Sequence, residues 1–393
     1  MKKTLFYTGV VLLALFEVLK VYFIMPMPGS QQHNTLDIAY FLHTYRWVFR
    51  LLFLAFILFG ARDAFSIRHK WLPIIPVIAL LFVAYTFNFK MLADRMFEQP
   101  KNLSFKNKAS NILTDSSLII GVTLNGDARA YPIRYMSYHH QVRDTIGGKP
   151  MIITYCNVCR TGRVFEPIVE GKGETFRLVG MDHFNAMFED ETTKSWWRQA
   201  TGEAVAGPLK GKSLPEVGAS QMTLRKWFEL NPDGVVMQYD PTFRSVYDST
   251  GRFEKGKGRS SLTRTDSASW EDKSWVVGVT IDGESKAYDW NLLREQRVIN
   301  DVVGNVPVVV AIASDNMSFM VFERPTSGHQ FRVSGDTLFA EKQQYDFSGR
   351  DLSSLTGHLP AIKAYQEFWH SWRTFHPNTT KYGESEKQSQ VTR

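Results

Sequence analysis

Gly121-Val-Thr-Leu-Asn-Gly-Asp-Ala-Arg-Ala-Tyr131 returns as Gly278-Val-Thr-Ile-Asp-Gly-Glu-Ser-Lys-Ala-Tyr288, 157 positions later. Each copy is a β-rich run, an Asn-Gly or Asp-Gly pair, and a second β-rich run. Such dipeptides take up the positive-φ positions of a tight turn, so each copy reads as a hairpin. The offset continues without a gap through Asp144/Asp301, Gly147/Gly304, Pro150/Pro307 and Val164-Phe-Glu166/Val321-Phe-Glu323. A hairpin written twice and followed by the same turn residues predicts an α+β, β-rich fold that is internally duplicated. The expected boundaries are 99–245 for the first repeat, 246–274 for a Gly/Ser-containing linker and 275–378 for a second, degenerate repeat. The polar stretch 379–393 is expected to be disordered.

Within each repeat a helix is expected after the hairpin, over Tyr135–Gln141 or Asn291–Glu295. Further helices are expected over Leu224–Leu230 and Ala361–Thr374, ending near Asn231-Pro232 and His376-Pro377.

The two copies differ where chemistry is concentrated. Cys156 and Cys159 are the only cysteines among 393 residues, and they form one C-x-x-C between two strand-like runs. In the second copy Ala313 and Asn316 stand at their places, and Gln296 stands at the place of His139. Two thiols at this spacing form a disulfide, exchange with other thiols, or supply half of a metal site. A disulfide between them closes a very small ring, worth about 2 kcal/mol or less by loop-closure arithmetic, which argues against a purely structural bridge. A thioredoxin would open a helix with these cysteines. Here strand follows, so the motif is expected in a tight turn between strands.

Three apolar stretches precede the repeats, about Thr4–Met25, Tyr45–Ala61 and Trp71–Phe89, and they predict a three-helix transmembrane region within residues 1–95. Glu17 and Lys20 lie one turn apart in the first and are placed to pair. Arg46 and Arg50 in the second are placed to snorkel to the interface. Lys2 and Lys3, with Arg62, Arg68 and Lys70, mark the cytoplasmic face by the positive-inside rule. The expectation is a multi-pass protein of the bacterial cytoplasmic (inner) membrane, with membrane lipid as a partner and the C-terminal domain outside the cytoplasm; two spans in place of three would put that domain inside. That compartment tolerates disulfides. The net charge of +7 is spread out, and no P-loop, dinucleotide fingerprint or H-E-x-x-H is present. Nothing in the pattern points to nucleic acid.

The order Asp127-Ala-Arg-Ala-Tyr-Pro132, His139, Asp144-Thr-Ile-Gly-Gly-Lys-Pro150, Thr154-Tyr-Cys-Asn-Val-Cys-Arg-Thr161, Ser195-Trp-Trp197 and Thr201-Gly-Glu-Ala-Val-Ala-Gly-Pro208 resembles the bacterial domain of unknown function 3179 family over about residues 115–375. The resemblance implies no established substrate. It does imply a redox centre, because some members carry selenocysteine at a position of the C-x-x-C. At the family's usual Trp-His-Glu this chain has Tyr138-His139-His140, and at its usual Cys-Gly-Thr it has Cys159-Arg160-Thr161, which places a cation beside the thiol.

The leading expectation is therefore thiol–disulfide exchange with a protein thiol or disulfide partner, through Cys156 and Cys159 with His139 as base and no cofactor. Two alternatives stand beside it. One is a copper- or zinc-binding module drawing on Cys156, Cys159, His139 and His183. The other is a non-catalytic adaptor for a membrane partner. Glu203 and Asp190, near the Thr192–Trp197 run, read as turn or surface carboxylates.

Overall fold

Leu118–Leu124 and Asp127–Pro132 pair antiparallel about Asn125 and Gly126, which hold φ of +50° and +80°. The chain then makes the helix Ile133–His139 and the antiparallel run Gln141–Ile146, Lys149–Cys156 and Thr161–Phe165. Farther on, Trp275–Ile281 and Glu284–Asp289 pair about Asp282 and Gly283, at φ +50° and +83°. The helix Trp290–Gln296 follows, then Val298–Val303, Val306–Ile312 and Phe319–Glu323. The molecule is thus mixed α+β and rich in strand, as the hairpin reading requires. This computed structural model describes residues 2–354 and 356–384.

Each hairpin is covered by a short helix whose tryptophan lies on a strand glycine. Leu224–Leu230 sets Trp227 against Gly121, and Trp369–Phe375 sets Trp372 against Gly278. Each hairpin also turns a tyrosine hydroxyl onto an aspartate: Tyr131 donates to Asp144 at 2.6 Å, and Tyr288 donates to Asp301 at 3.0 Å. The first core gathers Ile120, Tyr131, Met136, Ile153 and Val164, and the second gathers Val277, Tyr288, Leu293, Val308 and Val321.

Several expectations are corrected. Ala361–Thr374 is not all helix. Ala364–Phe368 is a strand paired with Trp275–Val279, and helix begins only at Trp369, because sheet pairing overrides the local preference of the aromatic run. The tail is ordered as far as Glu384, with Thr380–Lys381 paired in parallel to Lys286–Ala287; residues 385–393 lie outside the described residues. The stretch 246–274 includes most of a helix, Arg244–Glu254.

The three expected membrane spans reduce to one. Among the described residues only α1 (Lys2–Tyr22, 21 residues) is long and apolar enough to cross a bilayer, and by length and composition it fits a membrane anchor or a signal sequence. After α2 (Leu36–Thr44), α3 (Arg46–Ala64) has 19 residues but carries Arg46, Arg50, Arg62 and Asp63. Next, α4 (Ile74–Tyr85) has 12 residues, about 18 Å at 1.5 Å per residue, before a π-helical turn over Thr86–Lys90. A crossing needs about 20 predominantly apolar residues. Apolar stretches were visible in the sequence; where the helices start and stop was not. Arg50 does not snorkel outward. It meets Glu17 through Nε at 2.7 Å and Nη2 at 3.1 Å, and Glu17 also pairs with Lys20 at 2.8 Å.

By compactness the chain forms two units. One comprises the residues up to Glu98 together with Glu174–Arg198 and Glu203–Ser213. The other comprises Gln99–Gly173, Gln199–Gly202 and the chain from Leu214 onward. The four-stranded sheet of Phe176–Asp182, Asn185–Asp190, Trp196–Arg198 and Ala204–Ala206 therefore belongs with the N-terminal helices. Met181 N–H donates to Ile24 O at 2.7 Å, and Tyr40 meets the Trp196 ring edge-on.

Candidate functional site

Cys156 lies opposite Thr161 in the antiparallel ladder, so Asn157, Val158, Cys159 and Arg160 form a four-residue hairpin loop. Arg160 closes it at φ +57°. The motif is thus in a turn between strands, with no helix opening from it. Cys156 and Cys159 are both reduced thiols, both 0 % exposed, and joined by a hydrogen bond.

The loop is fastened from several directions. Phe368 N–H donates to Cys159 O at 2.9 Å, and the Lys273 ammonium donates to Val158 O at 2.7 Å. The Asn157 amide donates to Ser137 O at 2.6 Å. Arg160 donates to Phe253 O at 3.1 Å, Glu254 O at 3.2 Å and Gln366 Oε1 at 3.2 Å, with its guanidinium 3.6 Å from the centre of the Trp275 ring. Arg160 is therefore an anchor of the loop backbone. The charge of Lys273 acts on the Cys159 thiol in the direction that lowers it.

Beside the loop lies a fully buried ion pair. Arg163 Nη2 is 2.5 Å from Glu367 Oε1, and each side chain is 1 % exposed. Thr161 donates to Glu367 Oε1 at 2.7 Å and Ser371 donates to Oε2 at 2.9 Å. Gln199 donates to Thr154 Oγ1 at 3.0 Å and Thr161 O at 3.2 Å. Burial pushes the Cys159 thiol well up, reinforced by the hydrogen bond to Cys156 and by its charge; Ser371 and Lys273 pull the other way. Burial likewise lowers the Lys273 ammonium, opposed by negative charge on the two cysteines. Burial raises the Glu367 carboxyl, opposed by Arg163.

The expected histidines fall in different places. His139 is buried, with Nε2 2.5 Å from the Tyr247 hydroxyl. The contact to the thiol strand comes from His140, which lies just past the helix at φ +57°. Its Nδ1–H donates to Tyr155 O at 2.8 Å, while Tyr155 N–H donates back to His140 O at 2.9 Å. Burial lowers His140 to about 4, so it is neutral at pH 7. His183 belongs to the other unit, at the turn after Phe176–Asp182, with Nδ1 2.6 Å from Asp182 Oδ1. Among the described residues no group of three or more His, Cys, Asp and Glu side chains is assembled to hold a metal ion. Asp190 is a turn organiser: it accepts from Thr193 N–H at 2.5 Å, Ser195 N–H at 3.0 Å and the Trp197 indole at 2.9 Å.

Several buried polar atoms on the segments touching the loop have no hydrogen-bond partner: Ser137 Oγ, Asn157 Oδ1, Gln366 Nε2 and His370 Nε2. Ordered water commonly satisfies such atoms in native interiors. Two surface clefts of about 250 and 390 Å³ are lined by Tyr247 and Trp227, respectively, and neither is lined by the cysteines.

Sequence reasoning missed Lys273, Glu367 and Ser371. Lys273 lay in what read as linker. The signal for Glu367 was there: a lone acid in Tyr365-Gln-Glu-Phe-Trp369 must be paired if that run is buried.

The family model described as Protein of unknown function (DUF3179) matches residues 98–379. No curated protein and no solved structure matches the chain.

Proposed function

Since the chain belongs to the family of proteins of unknown function DUF3179, whose description assigns no reaction, we propose from its own geometry that it performs thiol–disulfide exchange through Cys156 and Cys159. The observation that carries this reading is the pair itself: one thiol at the end of a strand and the other in the four-residue loop that follows it, hydrogen-bonded to each other, with an ammonium group on the loop's backbone. In the exchange, one cysteine thiolate attacks a sulfur of a partner disulfide. A mixed disulfide forms and the partner's other sulfur leaves as a thiolate, which takes up a proton. The second cysteine then attacks the mixed disulfide, closing Cys156–Cys159 and releasing the partner dithiol. The chain loses two electrons and two protons, and the partner disulfide gains them. Because both thiols are covered in the reduced state, a protein partner reaches them only after a local opening that uncovers the sulfurs.

The domain is proposed to lie outside the cytoplasm on a single N-terminal anchor. Lys2 and Lys3 at the start of α1 favour the cytoplasmic side for that end, which sends the rest of the chain across. Exposed Trp47, Leu51, Leu58, Phe59, Ile78 and Phe82 on α3 and α4 are suited to contact with membrane lipid. We also read the two hairpin-containing halves as copies of one unit. The matching Tyr131–Asp144 and Tyr288–Asp301 bonds and the matching Trp–Gly contacts support this.

The test is the reduction potential of the cysteine pair, by thiol trapping across a glutathione or dithiothreitol series. A value between about −120 and −270 mV is expected of an exchange centre. A value below about −300 mV marks a structural bridge and leaves the adaptor reading. Elemental analysis of the reduced protein addresses copper or zinc: stoichiometric metal would displace the exchange reading.

A further inference from the structure

The thiols come from the first hairpin-containing half, but some of the groups around them come from the second half and the segment leading into it. Phe368, which holds Cys159 O, and Ser371, which hydrogen-bonds the Cys159 sulfur, lie on the strand and helix that close the second sheet. Lys273 lies just before the first strand of that sheet. Its ammonium is buried, lies 4.8 Å from the centre of the Phe368 ring, and donates to Val158 O, the carbonyl one residue before Cys159. Lysine is almost never fully buried unless something nearby uses its charge. Among the described residues no carboxylate is within salt-bridge distance of it, although buried lysines normally have one: Glu367 is bound by Arg163, Thr161 and Ser371, and Asp272 is bound by Arg373.

We propose that Lys273 is a positioning residue of the dithiol centre, holding the C-x-x-C loop by its backbone and stabilising the thiolate that attacks the partner disulfide. The proposal rests on the exchange reading of Cys156 and Cys159. It explains why a second half without thiols is retained against the first: it supplies the clamp and the positive charge, while the first half supplies the sulfurs. It also gives the hydroxyl of Ser371 a second task, since its one proton can turn from Glu367 to a sulfur anion. Thiolate stabilisation favours the reduced state over the disulfide, so the clamp makes the centre more oxidising.

The groups facing Cys159 and Lys273 that also titrate or carry charge are Cys156, Tyr155, Arg160, Glu367, Asp272, Asp266 and His370. A variant at Lys273 alone, compared with its charge-conserving counterpart, isolates the lysine from these. In the full chain, Lys273→Met is expected to shift the dithiol–glutathione equilibrium at least tenfold toward the disulfide, which is about 30 mV for a two-electron couple. The pH midpoint of iodoacetamide alkylation of the reduced protein should rise in the same variant. Lys273→Arg should recover most of both, and Ser371→Ala should shift both in the same direction by less. A folded Lys273→Met with an unchanged potential and alkylation midpoint overturns the proposal, as does an equal loss in Lys273→Arg. The alkylation profile is read on dithiothreitol-reduced protein, so it reports the lysine's field even where the wild-type potential lies below about −300 mV. Failure of the exchange reading and failure of the lysine's role are thereby separated.

Discussion

Arg163 and Glu367 show what a single pair of residues settles near the thiols. Both are sealed from water, and Glu367 also accepts from Thr161 and Ser371. Taking Glu367 away leaves the buried Arg163 with only the more distant Glu216 carboxylate at 3.9 Å, and breaking a buried pair costs about 3–5 kcal/mol, whereas replacing both partners with apolar groups of similar volume is often close to neutral. Glu367→Leu is therefore expected to lower unfolding free energy by about that amount in urea, and Arg163→Met/Glu367→Leu to recover most of it. A Glu367→Leu variant as stable as wild type would mean that Arg163 finds water or another acceptor. Arg163 also donates to Ala200 O at 2.9 Å, so the double variant still loses one backbone contact.

At the scale of elements, the helices covering the hairpins are fixed by the two tryptophans. A methyl group on Gly121 or Gly278 would fall within 3.0 Å of Trp227 or Trp372 ring atoms, closer than real side-chain contacts allow. Gly278→Ala is expected to cost about 1–3 kcal/mol through overpacking, seen as a lower denaturation midpoint at unchanged slope, and Gly121→Ala about the same. Unequal losses would show that one helix can shift where the other cannot. The thiol loop follows the same logic of element against element. Its conformation comes from the hairpin, but its rigidity comes from Phe368, Lys273 and Arg160 reaching other strands and helices.

On the scale of the molecule, Glu174–Arg198 and Glu203–Ser213 join the N-terminal helices although they sit in the middle of the chain. Glu189 ties that unit together. It meets Arg177 at 2.7 Å, His43 at 3.3 Å and the Trp196 indole at 3.0 Å. Burial by itself raises its carboxyl, but the hydrogen bond from His43, the charge of Arg177 and the bond from Trp196 hold it down at about 2. A folded-state value below the unfolded one of about 4.3 means that the stabilisation is present at neutral pH. It is lost as pH falls from about 4.3 toward 2, because the unfolded chain takes up the proton first. Glu189→Gln is expected to be less stable than wild type at pH 7 and to flatten the pH dependence in that window, followed by tryptophan fluorescence during urea unfolding. A wild-type curve with no slope between pH 4.3 and 2 would contradict this account.

The sequence by itself determined the hairpins, through Asn125-Gly126 and Asp282-Gly283, and the turn position of Cys156 and Cys159, through the strand-like runs on either side. These features are local: turn chemistry and alternation act over a few residues and leave their mark in the string. It also showed that α1 is apolar enough to cross a membrane, while the limits of α3 and α4 depended on where helices break. Only the tertiary structure decided what surrounds the thiols. Lys273, Glu367 and Ser371 stand more than a hundred residues from Cys159, and nothing local distinguishes a buried lysine from one in a solvated linker. Burial is a property of the completed packing, and burial is what gives those charges their effect on the sulfurs.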